Sequence, residues 1–312
     1  MRIAIVFPGQ GSQHPDMLEY YRGSDFYPTI QKKLEDAAVL TEIPFLELLN
    51  DRSPMLDRTT VTQPLLLTHA LAIWSFIAQE LQSHEVVMAG HSLGELTAVT
   101  ASGLFSFEQA VIIAKRRAEL MQEAMPQEPI GMTVVLGTLS VERIESIIAE
   151  YDSVWLVNDN CDGQVVLGGL ASSLILVSER LKQEGAKRVL QLPMSVVSHC
   201  GLLQPALESF QHVLNQAYSG RIPFCPIFSN WTTTASSDPY VILERLAQQL
   251  TQRVRFREMI AVLAPTVDMF IEVGSGQVLS QLIRKITSIP CYPTHNTEQL
   301  QTVLAILKGA KS

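Results

Sequence analysis

The chain opens on an unbroken apolar run, Ile3-Ala4-Ile5-Val6-Phe7, and a second short run, Val86-Val87-Met88, stands well downstream of it. Runs of this length without polar alternation read as strands buried on both faces. After Met88 the period lengthens, and Leu93 to Leu104 spaces its apolar residues as a helix does. Between the two runs, Pro64 to Leu81 is apolar enough to raise the question of a membrane span. Thr68, His69, Ser75 and Gln79 interrupt it, so it reads as a core helix. Residues 1 to about 125 therefore alternate strand-like and helical segments, the order of an α/β layer architecture.

From Gly131 the rhythm changes. Met132 to Leu136 reads as a strand, Val141 to Tyr151 as a helix, Val154 to Val157 and Gln164 to Leu167 as strands, Ala171 to Gly185 as a helix, and Arg188 to Leu192 as a strand. The order β-α-β-β-α-β is that of a ferredoxin-like split motif. The pattern predicts a small ferredoxin-like domain over residues 127–196, inserted into a large domain made of residues 1–126 and 197–312. Beyond His199 the α/β pattern resumes. Val267 to Val273 reads as one more buried strand, ending at Gly274-Ser275-Gly276, and the turn residues around Pro223, Pro226 and Ser236-Ser237-Asp238-Pro239 read as connections.

Composition narrows the function classes. The 312 residues are 47% hydrophobic and 17% charged, which suits a compact protein with a large core. A net charge of -8 argues against a nucleic-acid partner. Cys161, Cys200, Cys225 and Cys291 are widely spaced and form no C-x-x-C pair, so neither a metal site nor a disulfide framework is expected. Residues 2–7 are too short for a secretory h-region, and a cytoplasmic protein without membrane attachment is expected.

The chemistry concentrates at Ala89-Gly90-His91-Ser92-Leu93-Gly94-Glu95. A serine flanked by glycines two positions away on either side, between a strand and a helix, is the layout of a nucleophile elbow on an α/β-hydrolase-like sheet. The tight turn crowds the flanking positions, which is why they are glycine. It also leaves the first N–H groups of the helix free to face developing negative charge. Ser92 has a plain structural reading too, as a helix cap.

A serine nucleophile needs a base. Of the seven histidines, His199 lies where the predicted small domain returns to the large one, and a domain junction is a common place for a cleft. His91 adjoins Ser92 but points away from it on a tight turn, so it is expected to line the pocket. The loop Phe7-Pro8-Gly9-Gln10-Gly11-Ser12-Gln13 has two glycines of a dinucleotide fingerprint and lacks the third, because His14 occupies that position. The alternative is a loop that brings backbone N–H groups to the elbow as oxyanion donors.

With these residues in hand, the chain resembles the malonyl-CoA:acyl carrier protein transacylases nearly end to end. The resemblance is carried by Phe7 to Gln13, Thr62-Gln63-Pro64, Gly90 to Glu95, Arg117 with Met121-Gln122, and Asn158 and Asn160 with Gly163-Gln164-Val165-Val166. It continues through Ser195 to Cys200, Gln249-Leu250, and Glu272-Val273-Gly274 with Gly276. The resemblance implies Ser92 as nucleophile, His199 as base, the Gln249 backbone carbonyl as the third catalytic member, and the Gln10 and Leu93 N–H groups as oxyanion hole. It further implies Arg117 as the clamp on the malonyl carboxylate, with His91, Gln63, Asn158 and Asn160 around the substrate. No metal or redox cofactor is implied. The partners would be malonyl-CoA and a holo acyl carrier protein.

Gln252-Arg253 stands where relatives commonly have Asn-Pro, and Trp231-Thr232 follows Asn230 in place of Val-Asp. With Gly131-Met132-Thr133 these departures resemble the transacylase of malonate decarboxylase systems, or a stand-alone polyketide synthase acyltransferase with another extender unit. An acyl-carrier-protein hydrolase using the same serine and histidine is the other reading, and Arg117 argues against it. Docking of an acidic carrier predicts a basic surface among Lys182, Lys187, Arg188, Arg253, Arg255 and Arg257.

Overall fold

The computed structural model describes residues 1–309. Its strands are β1 (Arg2–Phe7), β2 (Glu85–Gly90), β3 (Ile130–Leu136), β4 (Val154–Cys161), β5 (Gln164–Leu170), β6 (Arg188–Leu192), β7 (Ile227–Phe228), β8 (Ala235–Ser236), β9 (Met269–Glu272) and β10 (Cys291–Pro293). They build two separate sheets in an α/β protein.

The larger sheet has the order β10-β9-β1-β2-β7-β8, parallel from β10 to β7 with β8 returning antiparallel. β1 is central and buried on both faces, which accounts for its uninterrupted apolar sequence. Ile3, Ile5 and Phe7 face one core, shared with helices Tyr27–Thr41, Thr59–Ile77 and Phe107–Glu123. Ala4 and Val6 face the other, against helices Phe256–Leu263 and Val278–Ile286. The period of two divides one strand between two cores.

Among the described residues only Thr59–Glu80 is long and apolar enough to cross a membrane, and 78% of its apolar window is buried inside the protein. Thr68 and His69 in it are fully buried.

The smaller sheet has the order β4-β5-β3-β6, antiparallel throughout. Helices Val141–Ile148 and Ala171–Gln183 cover one face through Val135, Leu156, Val165 and Leu167. The opposite face presents Met132, Val134 and Val166 to a cleft between the sheets. One parallel bridge joins the sheets' surroundings: Asp159 N–H donates to Val254 O and Val254 N–H to Val157 O, both at 2.9 Å.

Several elements differ in extent from the sequence expectation. The helix after Ser92 ends at Ala101 rather than Leu104, because Gly103 takes a positive φ of 95° and stops it. β9 covers only Met269–Glu272 of the apolar run 267–273. β4 and β5 run on to Cys161 and Leu170, past the apolar residues, since β4 continues through Asn158, Asp159 and Asn160. β7 and β8, two residues each, lie in the segment read as connections.

Glu272 ends β9 with no exposed surface. Its carboxylate accepts from Leu279 N at 2.9 Å, Ser280 N at 2.7 Å and Ser280 Oγ at 2.6 Å, closing the start of the helix Val278–Ile286. Burial pushes its carboxyl up to about 7, against the hydrogen bonds from Ser280 and Leu279. Glu272→Ala strands these donors. The expected loss is about 2–4 kcal/mol, a fall in Tm of roughly 5–10 °C by calorimetry. An unchanged Tm would show that water replaces the carboxylate there.

Candidate active site

Register sets the site. Phe7 of β1 pairs with Gly90 of β2, so the chain leaves the two strands side by side, into Pro8-Gly9-Gln10 and His91-Ser92. The glycines permit contacts that no side chain would. A Cβ on Gly94 would lie 1.9 Å from Phe7 O, and one on Gly90 would lie 2.0 Å from the carbonyl carbon of Gly94. A Cβ on Gly9 would stand 2.5 Å from His91 O and 3.5 Å from Ser92 Cβ, which puts the glycine-rich loop directly beside the serine.

Ser92 itself has φ 54° and ψ −114°, a conformation that costs a non-glycine residue about 1–3 kcal/mol. Two distant side chains brace it. Ser92 N–H donates to Asn230 Oδ1 at 2.7 Å, and Gln249 Nε2 donates to Ser92 O at 3.0 Å. Asn230 Nδ2 also donates to the Gly90 carbonyl.

His199 follows the buried pair Val196-Val197 and has φ 65°, with its N–H bonded to Leu250 O at 2.8 Å. Its Nδ1 lies 2.8 Å from Gln249 O and its Nε2 2.7 Å from Ser92 Oγ. A carbonyl can only accept, so Nδ1 carries the proton and Nε2 is left to accept from the Ser92 hydroxyl. Burial, the nearby Arg117 charge and His91 lower the imidazole to about 3, against the hydrogen bonds to Gln249 and Gln252, which favour the proton. Both burial and the Arg117 charge favour the neutral ring.

Arg117 is the largest fully buried side chain, 1% exposed. It donates to Gln63 Oε1 at 2.8 Å and to Gln249 Oε1 at 3.1 Å, and its Nε–H has no partner. Burial lowers its guanidinium to about 10, with the Glu95 charge opposing that, so it is a cation at neutral pH. No carboxylate forms an ion pair with it among the described residues. A buried cation held by neutral amides, with donors to spare, has the chemistry to pair with an anion. Gln63 Nε2 extends the chain to Gln10 Oε1 at 3.4 Å.

The cleft, about 370 Å³, is lined by Gly9, Gln10, His91, Asn158 and Asn160 together with Met132, Val166 and Met194. His91 Nε2 lies 2.8 Å from Asn160 Oδ1. Irregular pairing on either side of Asn158 and Asp159 turns β4 so that Asn158 and Asn160 reach the cleft while Asp159 faces Arg257. Leu93 begins a helix, so its N–H has no acceptor within that helix.

Residues 4–298 match the model of the acyl transferase domain. The chain belongs to that family. The acyl transferase is 34% identical to the malonyl CoA-acyl carrier protein transacylase of Salmonella typhimurium over 290 residues, 91% of this chain and 93% of the relative. It is 35% identical to the protein of that name from Bacillus subtilis, over 91% of this chain and 90% of the relative. Among solved structures it superposes on malonyl-CoA:acyl carrier protein transacylase from Helicobacter pylori with a TM-score of 0.93, 32% identity and 99% of each chain covered. A malonyl-transacylase solved in complex with its type II PKS acyl-carrier protein aligns with a TM-score of 0.92 at 32% identity, covering 98% of this chain and 100% of that one.

In this acyl transferase most of the basic residues named as a docking surface are already engaged. Arg253 pairs with Glu145, Arg255 with Glu258, Arg257 with Asp159 and Asp162, and Lys182 with Glu179. Lys187 and Arg188 are exposed at the start of β6. Arg253 and Arg257 fasten the segment after Gln249 to the smaller sheet's helix and strand, which is a holding role.

Two residues of the site take no role from the sequence reading, although Glu95 closes the elbow segment. Asn230 stands out only as the residue before an unusual Trp-Thr pair. Glu95 is the one charged residue in the helix Leu93–Ala101, and an ionisable group in an otherwise apolar helix is the available signal. Asn230→Ala leaves the Ser92 N–H and the Gly90 carbonyl without side-chain partners in a buried site. Labelling of Ser92 by a fluorophosphonate should slow about 10- to 100-fold. Labelling at the wild-type rate would mean that the turn holds its shape without Asn230.

Proposed function

We propose that the protein transfers malonyl from malonyl-CoA to the phosphopantetheine thiol of an acyl carrier protein. The observation that carries this reading is the hydrogen-bonded chain from Ser92 through His199 to the Gln249 carbonyl, tied by the Gln249 side chain to a buried Arg117 that pairs with no carboxylate among the described residues. Support comes from relatives that bear the name malonyl CoA-acyl carrier protein transacylase across nearly their whole length, and from a structural neighbour solved with its carrier protein.

The proposed reaction runs in two halves. Ser92 Oγ gives its proton to His199 Nε2 and bonds to the malonyl carbonyl carbon. The Gln10 and Leu93 N–H groups receive the oxyanion, the C–S bond breaks, and the CoA sulfur takes the proton from His199. The carrier thiol then gives its proton to the same nitrogen and its sulfur bonds to the acyl carbon; the bond to Ser92 Oγ breaks, Ser92 takes the proton back from His199, and the malonyl group leaves on the carrier. Arg117 pairs with the malonyl carboxylate throughout, held by Gln63, while His91, Asn158 and Asn160 line the cleft. An editing hydrolase acting on varied acyl chains gains nothing from a buried cation that demands a carboxylate, which favours the transferase. On this reading residues 1–126 and 197–312 form the α/β-hydrolase-like catalytic domain and residues 127–196 a ferredoxin-like domain that roofs the cleft. The strand order of each sheet supports that division, and the burial of Thr59–Glu80 supports its reading as a core helix.

Ser92→Ala should abolish covalent labelling by radiolabelled malonyl-CoA; persistent label on another residue would overturn the assignment. Arg117→Ala strands the malonyl carboxylate at a cost of about 2–5 kcal/mol, roughly thirty-fold to several thousand-fold in malonyl kcat/KM, while acetyl-CoA has no carboxylate to lose. Equal losses for the two acyl groups would make Arg117 a purely structural residue.

The pH dependence has a definite sign. A lowered histidine pKa keeps the base neutral below its ordinary titration range, so His199 should impose no fall in malonyl kcat/KM between about pH 5 and pH 7. A fall centred near pH 6.5 that vanished in a His199 variant would contradict this.

A further inference from the structure

Gln249 does two separate things with two separate parts. Its backbone carbonyl accepts from His199 Nδ1, and its side-chain amide spans the distance between Arg117 and the buried carboxyl of Glu95. Both amide protons are committed, one to Ser92 O at 3.0 Å and one to Glu95 Oε2 at 2.6 Å. Only the amide oxygen is then left to face Arg117. A flipped amide would set its oxygen against two acceptors and its NH2 against a guanidinium, an arrangement with no hydrogen bond on either side. Glu95 Oε2 also accepts from Asn230 N at 2.9 Å, so one oxygen anchors both side chains that brace Ser92.

We propose that Glu95 is a positioning residue for acyl selectivity: its carboxyl fixes the orientation of the Gln249 amide, and the amide oxygen holds the Arg117 guanidinium in place for a carboxylate substrate. This rests on the malonyl reading of Arg117. Glu95 touches neither Ser92 Oγ nor Arg117 within hydrogen-bond distance and acts only through Gln249 and Asn230. Charge is not the operative property, because the acceptor oxygen is what Gln249 and Asn230 use. In keeping with this, burial raises the Glu95 carboxyl to about 7, against the hydrogen bonds from Asn230 and Gln249 and the charges of Arg117 and Arg245. A neutral residue with an acceptor oxygen at this place is a fair replacement.

The test measures malonyl and acetyl kcat/KM for wild type, Glu95→Ala, Glu95→Gln and Gln249→Met, each alone and in an Arg117→Ala background. Glu95→Ala should lower the malonyl-to-acetyl ratio about tenfold. Glu95→Gln, which keeps an acceptor, should stay within about threefold of wild type. In the Arg117→Ala background neither Glu95 variant should change the ratio further, since the group through which they act is gone. Gln249→Met keeps the backbone carbonyl and should lower the ratio as Glu95→Ala does, which secures the test if Glu95→Ala does not fold. The proposal is overturned if Glu95→Ala and Gln249→Met lower both acyl groups equally, or if their effects on the ratio persist without Arg117. It is also overturned if Glu95→Gln is as unselective as Glu95→Ala. Failure of the malonyl reading itself would look different, with wild type showing no preference for malonyl.

Discussion

The approach of Gly94 to the Phe7 carbonyl is the contact on which the site depends. It draws the helix Leu93–Ala101 against the end of β1, and the chain can make that turn only if Ser92 adopts a conformation unfavourable for any residue with a side chain. The turn lifts the hydroxyl out of the sheet and leaves the Leu93 N–H free. It also brings the Gly9-Gln10 loop within van der Waals reach of the serine. The placement of the Ser92 hydroxyl, the Leu93 N–H and the Gly9-Gln10 loop therefore comes from one backbone geometry, and the glycines at 9, 90 and 94 are what admit it.

Holding that geometry requires polar groups in a dry place, and each must find a partner. Asn230, Gln249, Glu95 and Arg117 are all buried, and they satisfy one another and the Ser92 backbone. Such a network is costly when half-made and rigid when complete. Among these four side chains the buried polar atom without a partner is Arg117 Nε. A preorganised cation with unused donors costs stability in the free protein, and on the proposed reading the malonyl carboxylate offsets that cost on binding.

The two sheets are held together at the same place. The segment that follows Gln249 pairs with β4 at Val254, and its arginines reach Glu145, Asp159 and Asp162 on the smaller sheet's side. Because Asp159 lies between Asn158 and Asn160, this anchorage also sets where those two amides stand in the cleft. Of the residues read as a surface for an acidic partner, Arg253 and Arg257 also hold this wall of the cleft.

Periodicity determined a good deal by itself. The central strand, the β-α-β-β-α-β order and the elbow follow from runs of apolar residues and from glycines at fixed offsets, which are local properties of the chain. Strand and helix ends did not follow, because Gly103 and the polar tail of β4 act against the apolar pattern. The spacing of its flanking glycines singled out Ser92, the place where the small domain returns to the large one singled out His199, and the family resemblance alone singled out Arg117. Asn230 and Glu95 were beyond reach for a different reason. Their importance lies in which backbone group each one meets, across sequence separations of more than a hundred residues between Asn230 and the elbow. Only the tertiary structure decides such pairings, because a hydrogen bond depends on direction and distance in space, and neither is written in the order of residues.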